Sequence, residues 1–363
     1  MRRCDYCAFA AWDDRFELID GYVDALATEV RRAVAAGLPA ASTVFVGGGT
    51  PSLLSPAQLA SVLGEVPVQA GAEITVECNP ETVTEERLAG YAAAGVNRIS
   101  LGVQSLVPSV LASLGREHDP AGVARAVSAV RAVGFRSWNL DVIYGAAGES
   151  ADDWRRTIEG VLALEPPHVS AYALTVEPGT PLAEDPARAP DDDVQAEDYL
   201  AAEAAFIAAG LANYEISNWA RPGHECRHNL LYWSAGDYRG FGCAAHSHTA
   251  GRRWWNVRTP ERYVAAVREG RATEAAGEEL APAERTLEAL QLSLRTRAGV
   301  PAGALAPEDR AELDGLLVPE GDRLVLSVQG RLLANEVAVR LRVPDRGDAV
   351  SRGPGGAGPR RRW

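Results

Sequence analysis

Between residues 15 and 215 the sequence repeats one unit: an alanine-rich amphipathic stretch, then a short β-branched run that ends on a glycine or a polar residue. Phe16 to Ala36 carries Leu18, Tyr22, Leu26 and Val30 at helical spacing, and Thr43 to Val46 follows as a buried strand running into Gly47-Gly48-Gly49-Thr50. Helices are then predicted over Pro56 to Leu63, Thr84 to Ala94, Asp119 to Val133, Ala151 to Ala163 and Asp192 to Gly210. The intervening strands are Ile74 to Glu77, Arg98 to Val103, Ser137 to Ile143 and His168 to Thr175. Strands alternating with helices predict parallel βαβ units, five or six of them. An open doubly wound sheet would alternate in the same way. The polar residues favour a barrel: Gly49, Thr50, Glu77, Gln104, Asp141 and Thr175 fall at or just past strand C-terminal ends, the face where a barrel collects ligand contacts from every strand. An open sheet would use only the strands at its switch point.

The rest of the chain reads differently. Residues 216–280 are rich in Trp, Tyr, His, Arg and Gly. Residues 281–342 predict two helices, a strand at Leu324 to Val328 and a closing helix near Leu332 to Val339, a small helical or winged-helix-like domain. Residues 343–363 read as a disordered basic tail. With 1–215 as the barrel core, the expected class is α/β, a partial parallel (β/α) barrel with a small C-terminal domain. The net charge of -13 argues against generic nucleic-acid binding. No apolar run is long enough to span a membrane. Five scattered cysteines do not read as a disulfide framework, so a reducing, cytoplasmic setting is expected. A peripheral position at the inner face of the membrane and a homodimer are both compatible with the chain.

Two local features carry chemistry. Cys4-Asp5-Tyr6-Cys7 is a C-x-x-C pair, able to bind zinc, act as a redox dithiol or ligate an iron–sulfur cluster. A zinc site would want a second pair, and none follows at suitable spacing. The glycine run after the first strand lets backbone N–H groups approach a ligand, but its spacing is neither the P-loop nor the dinucleotide fingerprint.

Taken in order, CDYCAF, GGGTPSLLS, ECNPETV, GVNRISLGVQSL, LGREHD, NLDVIYGAAGES and LTVEPGTPL resemble the serial motifs of the oxygen-independent coproporphyrinogen III oxidase-like radical-SAM family, from residue 1 to roughly residue 340. YEISNWARPGHECRHNLLYW and FGCAAHSH resemble its HemW-type haem-chaperone branch. The resemblance implies a 4Fe-4S cluster held by C-x-x-x-C-x-x-C, with S-adenosyl-L-methionine on the open iron and a 5′-deoxyadenosyl radical as product of its reductive cleavage. Cys4 and Cys7 would be the second and third metal ligands. Tyr6, Gly48, Gly49, Thr50, Glu77, Gln104, Arg116 and Asp141 match cofactor-contacting positions. His228, Tyr232 and Trp233, of the H-N-x-x-Y-W motif, would contact haem. Arg221 or Arg227 would be placed to pair with its propionates.

The chain also departs from the family pattern. The first cysteine ligand belongs one position ahead of Met1, and the first barrel strand with its Y-x-H-x-P-F-like lead is missing, so an N-terminally truncated chain is expected. Phe9 occupies the position where the coproporphyrinogen enzymes resemble each other in having a further cysteine. The reading that follows is a carrier that binds haem and passes it to apo-haemoproteins of respiration, with an unidentified electron donor. The rival is an oxygen-independent coproporphyrinogen III oxidase/dehydrogenase, which decarboxylates propionates in porphyrin biosynthesis; Phe9 and the H-N-x-x-Y-W motif argue against it. A cluster-free remnant that keeps only ligand affinity is a third reading.

Overall fold

The computed structural model describes residues 4–116 and 118–342; the expected C-terminal tail lies outside them. Five strands run parallel in sequence order: β1 (Ala41–Val46), β2 (Val68–Cys78), β3 (Arg98–Gln104), β4 (Ser137–Tyr144) and β5 (His168–Ala173). The helices between and after them are α1 (Ile19–Ala35), which precedes β1, then α2 (Pro56–Leu63), α3 (Glu85–Ala93), α4 (Pro108–Ser113), α5 (Pro120–Val133), α6 (Ala151–Ala163) and α7 (Asp192–Ala208). Their ends are set locally. Ser55 and Ser150 cap α2 and α6 in capping boxes with Gln58 and Asp153, Asp119 caps α5, and Gly134 ends α5 in the left-handed conformation at φ 90°.

Strand periodicity divides each strand between two environments. Ile74, Val76, Ile99, Leu101, Val103, Trp138, Leu140, Val142, Val169 and Ala171 pack with the helices in one core. The alternate residues are polar: Glu73, Thr75 and Glu77 on β2, Arg98 and Ser100 on β3, Asn139 and Asp141 on β4, His168 and Ser170 on β5. Parallel strands covered by helices on both faces usually read as continuous apolar runs. Here the second face is the concave interior of a partial barrel, and its polarity marks it as the working surface.

Among the described residues no sixth parallel strand follows α7. The chain instead forms an antiparallel hairpin, β6 (Ala212–Glu215) and β7 (Asn218–Ala220), with β7 paired antiparallel to β5. The reason is connection length: the two residues between β6 and β7 allow a hairpin but not a parallel crossover. The outer edge of β6 is covered in turn, because Ile216 N–H donates to Arg295 O at 3.2 Å and Arg297 N–H to Tyr214 O at 3.0 Å.

Residues 216–280, rich in Trp, Tyr, His, Arg and Gly, contain α8 (Arg227–Trp233), α9 (Pro260–Arg268) and a three-stranded antiparallel sheet of β8 (His246–Thr249), β9 (Arg252–Asn256) and β10 (Glu274–Glu279). The buried Glu29 of α1 ties this segment to the barrel by accepting from Gly242 N–H, Asn256 Nδ2 and Tyr263 Oη. In 281–342, the strand expected at Leu324 to Val328 is Arg323–Leu326, the middle strand of a small antiparallel sheet with Leu317–Glu320 and Val300–Pro301. It has its own apolar core around Leu313, Leu294 and Val337.

Candidate functional site

The C-terminal ends of all five parallel strands border one cavity of about 590 Å3. Cys4, Tyr6, Cys7, Gly49, Thr50, Glu77, Gln104, Arg116 and Asp141 all line it, so residues far apart in sequence meet at one place. Gly48 instead lines an adjoining pocket, with Gly49 and Thr50 common to both, and donates its N–H to Glu77 Oε2 at 3.2 Å. Its φ of 82° and open surroundings give the glycine run a backbone path that a side chain would strain. Gln104 ends β3 with φ 62°, an uncommon value for a non-glycine residue, and this turns the strand end at the cavity.

The cysteine loop is anchored from the barrel side. Arg116 Nη1 reaches Cys4 Sγ at 3.3 Å, while Nη2 donates to Asn79 Oδ1 at 3.0 Å and Gly102 O at 2.7 Å. Its Nε is buried without a partner among the described residues. Backbone contacts hold the loop further: Asp5 N–H to Leu114 O at 3.3 Å, Cys7 N–H to Cys4 O at 3.2 Å and Leu182 N–H to Asp5 O at 3.0 Å. Burial pushes the Tyr6 phenol well above its ordinary range, so it is a neutral hydroxyl at the cavity wall.

Two carboxyls give the cavity its electrostatic character. Burial, and then the neighbouring Asp141, push Glu77 up to about 7. Asp141 is also raised by burial, against hydrogen bonds from Ser100 Oγ at 2.8 Å and Asn139 Nδ2 at 2.6 Å that favour its charged form. A paired acidic wall suits a cationic ligand such as a sulfonium or an ammonium group. The Arg116 guanidinium, with its unpaired Nε, suits the carboxylate of the same ligand. The cavity therefore fits an amino acid-derived sulfonium cofactor.

The thiols fit a cluster only in part. Cys4 and Cys7 border the cavity. Cys78 also borders it, but its thiol lies 3.8 Å from Val76 O in the helix-side core, and burial pushes it up to about 12. Cys226 packs beside Tyr214, and Cys243 lies against Tyr22 Oη at 3.4 Å. Among the described residues no group of three or more His, Cys, Asp and Glu side chains is placed to hold a metal ion. The described residues thus supply two of the three thiolates that the family pattern wants.

The H-N-x-x-Y-W residues do not join this cavity. They lie on α8, which packs on β1. His228 Nδ1 pairs with Thr43 Oγ1 at 2.9 Å, its ring stacks on Phe45 at 5.2 Å, and its Nε2 meets Tyr232 Oη at 2.9 Å. Tyr232 is 41% exposed and its ring meets Tyr238 edge-on. Arg295 lies over the Trp233 ring. Arg227 Nη1 donates to Gly71 O at 2.8 Å. Burial lowers His228 to about 4, so its imidazole is neutral and keeps a lone pair at ordinary pH. The sequence reading missed Thr43, Phe45 and Tyr238 here, and Asn79, Ser100 and Tyr172 at the cavity. Asn79 and Ser100 carried a sequence signal, since they lie within ECNPETV and GVNRISLGVQSL.

A parallel partial barrel whose strand ends surround a paired-cysteine loop and a glycine run is the fold of a radical-SAM protein, and residues 1–161 match the Radical SAM superfamily. The chain superposes on coproporphyrinogen III oxidase (HemN) of Escherichia coli with a TM-score of 0.82, over 93% of this chain and 87% of that one. At 22% identity this likeness is one of fold. The sequence is 44% identical to the heme chaperone HemW of Mycobacterium tuberculosis (strain ATCC 25618 / H37Rv), over 94% of this chain and 92% of that protein. It is 37% identical to the heme chaperone HemW of Escherichia coli (strain K12), over 93% and 94%. The chain belongs to the HemW heme chaperone family.

Proposed function

We propose that this protein binds haem and delivers it to apo-haemoproteins, with His228 as the axial ligand, Tyr232 and Trp233 as flanking rings, and a separate S-adenosylmethionine site in the barrel cavity. The observation that carries the haem reading is the state of His228: a neutral imidazole, oriented from behind by Thr43 and Phe45, with its second nitrogen directed to an exposed tyrosine. An iron-binding histidine needs its ring held in place through its other nitrogen in this way. In the cavity, Glu77 and Asp141 would face the cationic end of the cofactor, Gly48, Gly49 and Thr50 its amino acid end, and Gln104 and Arg116 its remaining polar groups. Tyr6 would close the wall, and Cys4 and Cys7 would supply thiolates to iron. Organisation into 1–215, 216–280 and 281–342 accompanies this reading. Five free cysteines support a reducing, cytoplasmic location, and no described helix is long and apolar enough to cross a membrane.

Titrating the protein with haem tests the proposal. One haem per chain and transfer of that haem to an apo-haemoprotein are expected. Conversion of coproporphyrinogen to protoporphyrinogen would instead make the protein an oxidase.

The cavity adds a pH signature. A cationic ligand favours ionised Glu77, whose free-state value near 7 means that binding expels a proton below that pH. S-adenosylmethionine affinity should therefore rise about tenfold from pH 6 to pH 8 and level off above. Calorimetry on the protein and on Glu77→Gln isolates the effect, since the variant loses this contribution to the slope. Parallel profiles for the two would remove Glu77 from the site.

A further inference from the structure

Beneath Asp141 and Ser100 the barrel interior holds a line of buried polar side chains, Asn139, His168 and Tyr214, that border neither proposed site. Asn139 Nδ2 reaches Asp141 Oδ1 at 2.6 Å, Ser100 Oγ at 2.8 Å and Ser170 Oγ at 3.0 Å. Asn139 Oδ1 pairs with His168 Nδ1. His168 Nε2 pairs with Tyr214 Oη at 2.8 Å, and Tyr214 Oη accepts the backbone N–H of Cys226 at 3.2 Å. Cys226 is the residue that precedes α8. Asn139, His168 and Tyr214 are each at most 2% exposed.

With Asp141 ionised, each bond in this line takes one direction. A flipped Asn139 amide would then set its oxygen 2.6 Å from a carboxylate oxygen, so the nitrogen faces Asp141. Asn139 Oδ1 has no proton to give, so His168 Nδ1 carries one. Burial, and then the nearby Arg98, hold His168 well below its ordinary value. A neutral imidazole protonated on Nδ1 must accept at Nε2, so Tyr214 donates its hydroxyl proton there. The Tyr214 oxygen is then left to accept from Cys226. The proton-donating direction runs unbroken from the Cys226 N–H to the Asp141 carboxylate, with Ser100 as the second donor to that carboxylate.

We infer that His168 and Tyr214 are positioning residues for Asp141, fixing the orientation of its carboxylate at the cavity floor through Asn139. Neither touches the cavity. Their role is to allow Asn139 one amide orientation and therefore Asp141 one rotamer. Buried networks of this kind act as units, so removing any member should release the same carboxylate. The inference rests on the reading of Asp141 as a cofactor contact.

The test is S-adenosylmethionine binding by calorimetry to the full chain and to Asp141→Asn, His168→Phe, Tyr214→Phe and the His168→Phe/Asp141→Asn double variant. It is combined with the nitrogen-15 histidine spectrum of the unsubstituted protein, which needs no variant to fold. Asp141→Asn is expected to weaken binding about tenfold and each positioning variant about fivefold, with the double variant no weaker than Asp141→Asn alone. The His168 ring should show the neutral form protonated at Nδ1. Unchanged affinity in His168→Phe and Tyr214→Phe alongside a weakened Asp141→Asn would overturn the positioning role and leave the cofactor reading standing. Unchanged affinity in Asp141→Asn would instead remove the cofactor reading, and the inference with it. A His168 ring protonated at Nε2 would contradict the bond directions themselves.

Discussion

Replacing His228 by alanine should lower haem affinity about 50-fold and abolish the absorbance signature of a histidine-ligated iron, while leaving S-adenosylmethionine binding unchanged. The separation follows from geometry: His228 sits on α8 against β1, and the cavity lining does not include it. A second substitution at the same place should act in the opposite direction. Both nitrogens of His228 are engaged, Nδ1 by Thr43 and Nε2 by Tyr232. Iron can reach Nε2 only after the Tyr232 hydroxyl lets go, at a cost of about 1 kcal/mol for a partly exposed hydrogen bond. Tyr232→Phe keeps the ring and removes that hydroxyl, so haem affinity should rise about fivefold. Spectrophotometric titration of the three proteins settles the matter. Weaker binding in Tyr232→Phe would make the phenol itself the iron ligand, and unaltered binding in His228→Ala would take the imidazole out of the site.

The largest stability effect is expected at Trp219. This side chain is fully buried on β7, packed against Phe206 at 5.2 Å and Tyr199 at 5.5 Å between ring centroids. Its Nε1–H donates to Glu203 Oε2 at 2.5 Å, and the same carboxylate pairs with Arg331 from the C-terminal segment. Trp219→Ala opens a cavity at the sheet–helix interface and strips one donor from a buried carboxylate. A loss of about 3–5 kcal/mol is expected. Trp219→Phe keeps most of the packing and loses mainly the N–H, so it should cost about 1–3 kcal/mol. Urea unfolding followed by circular dichroism measures both. A Trp219→Ala loss below about 1 kcal/mol would mean that this interface tolerates collapse into the space.

Much of the barrel was legible because its signals are local. The helix read as Ala151 to Ala163 has those bounds, and Asp119 and Gly134 mark the ends of α5 as capping chemistry requires. The cavity residues were legible where they stand at strand ends, as Glu77, Gln104 and Asp141 do. The residues one layer deeper were not. Asn139, His168 and Ser170 sit inside predicted strands, where a polar residue has no distinguishing pattern until curvature shows which face is concave. The antiparallel hairpin at 212–220 was missed because strand direction depends on pairing with β5, a contact across more than 40 residues that no local window contains. The position of α8 was hidden for the same reason: its sequence reports the aromatic and histidine content, and only tertiary packing sets it on β1.

The buried side chains below Asp141 give the cavity a fixed polar floor, while the cysteine loop borders the same cavity and is tied to the barrel through Arg116 and backbone hydrogen bonds. Floor and rim are thus held by separate sets of contacts. A substitution in one leaves the anchors of the other in place, so the two can be loosened independently.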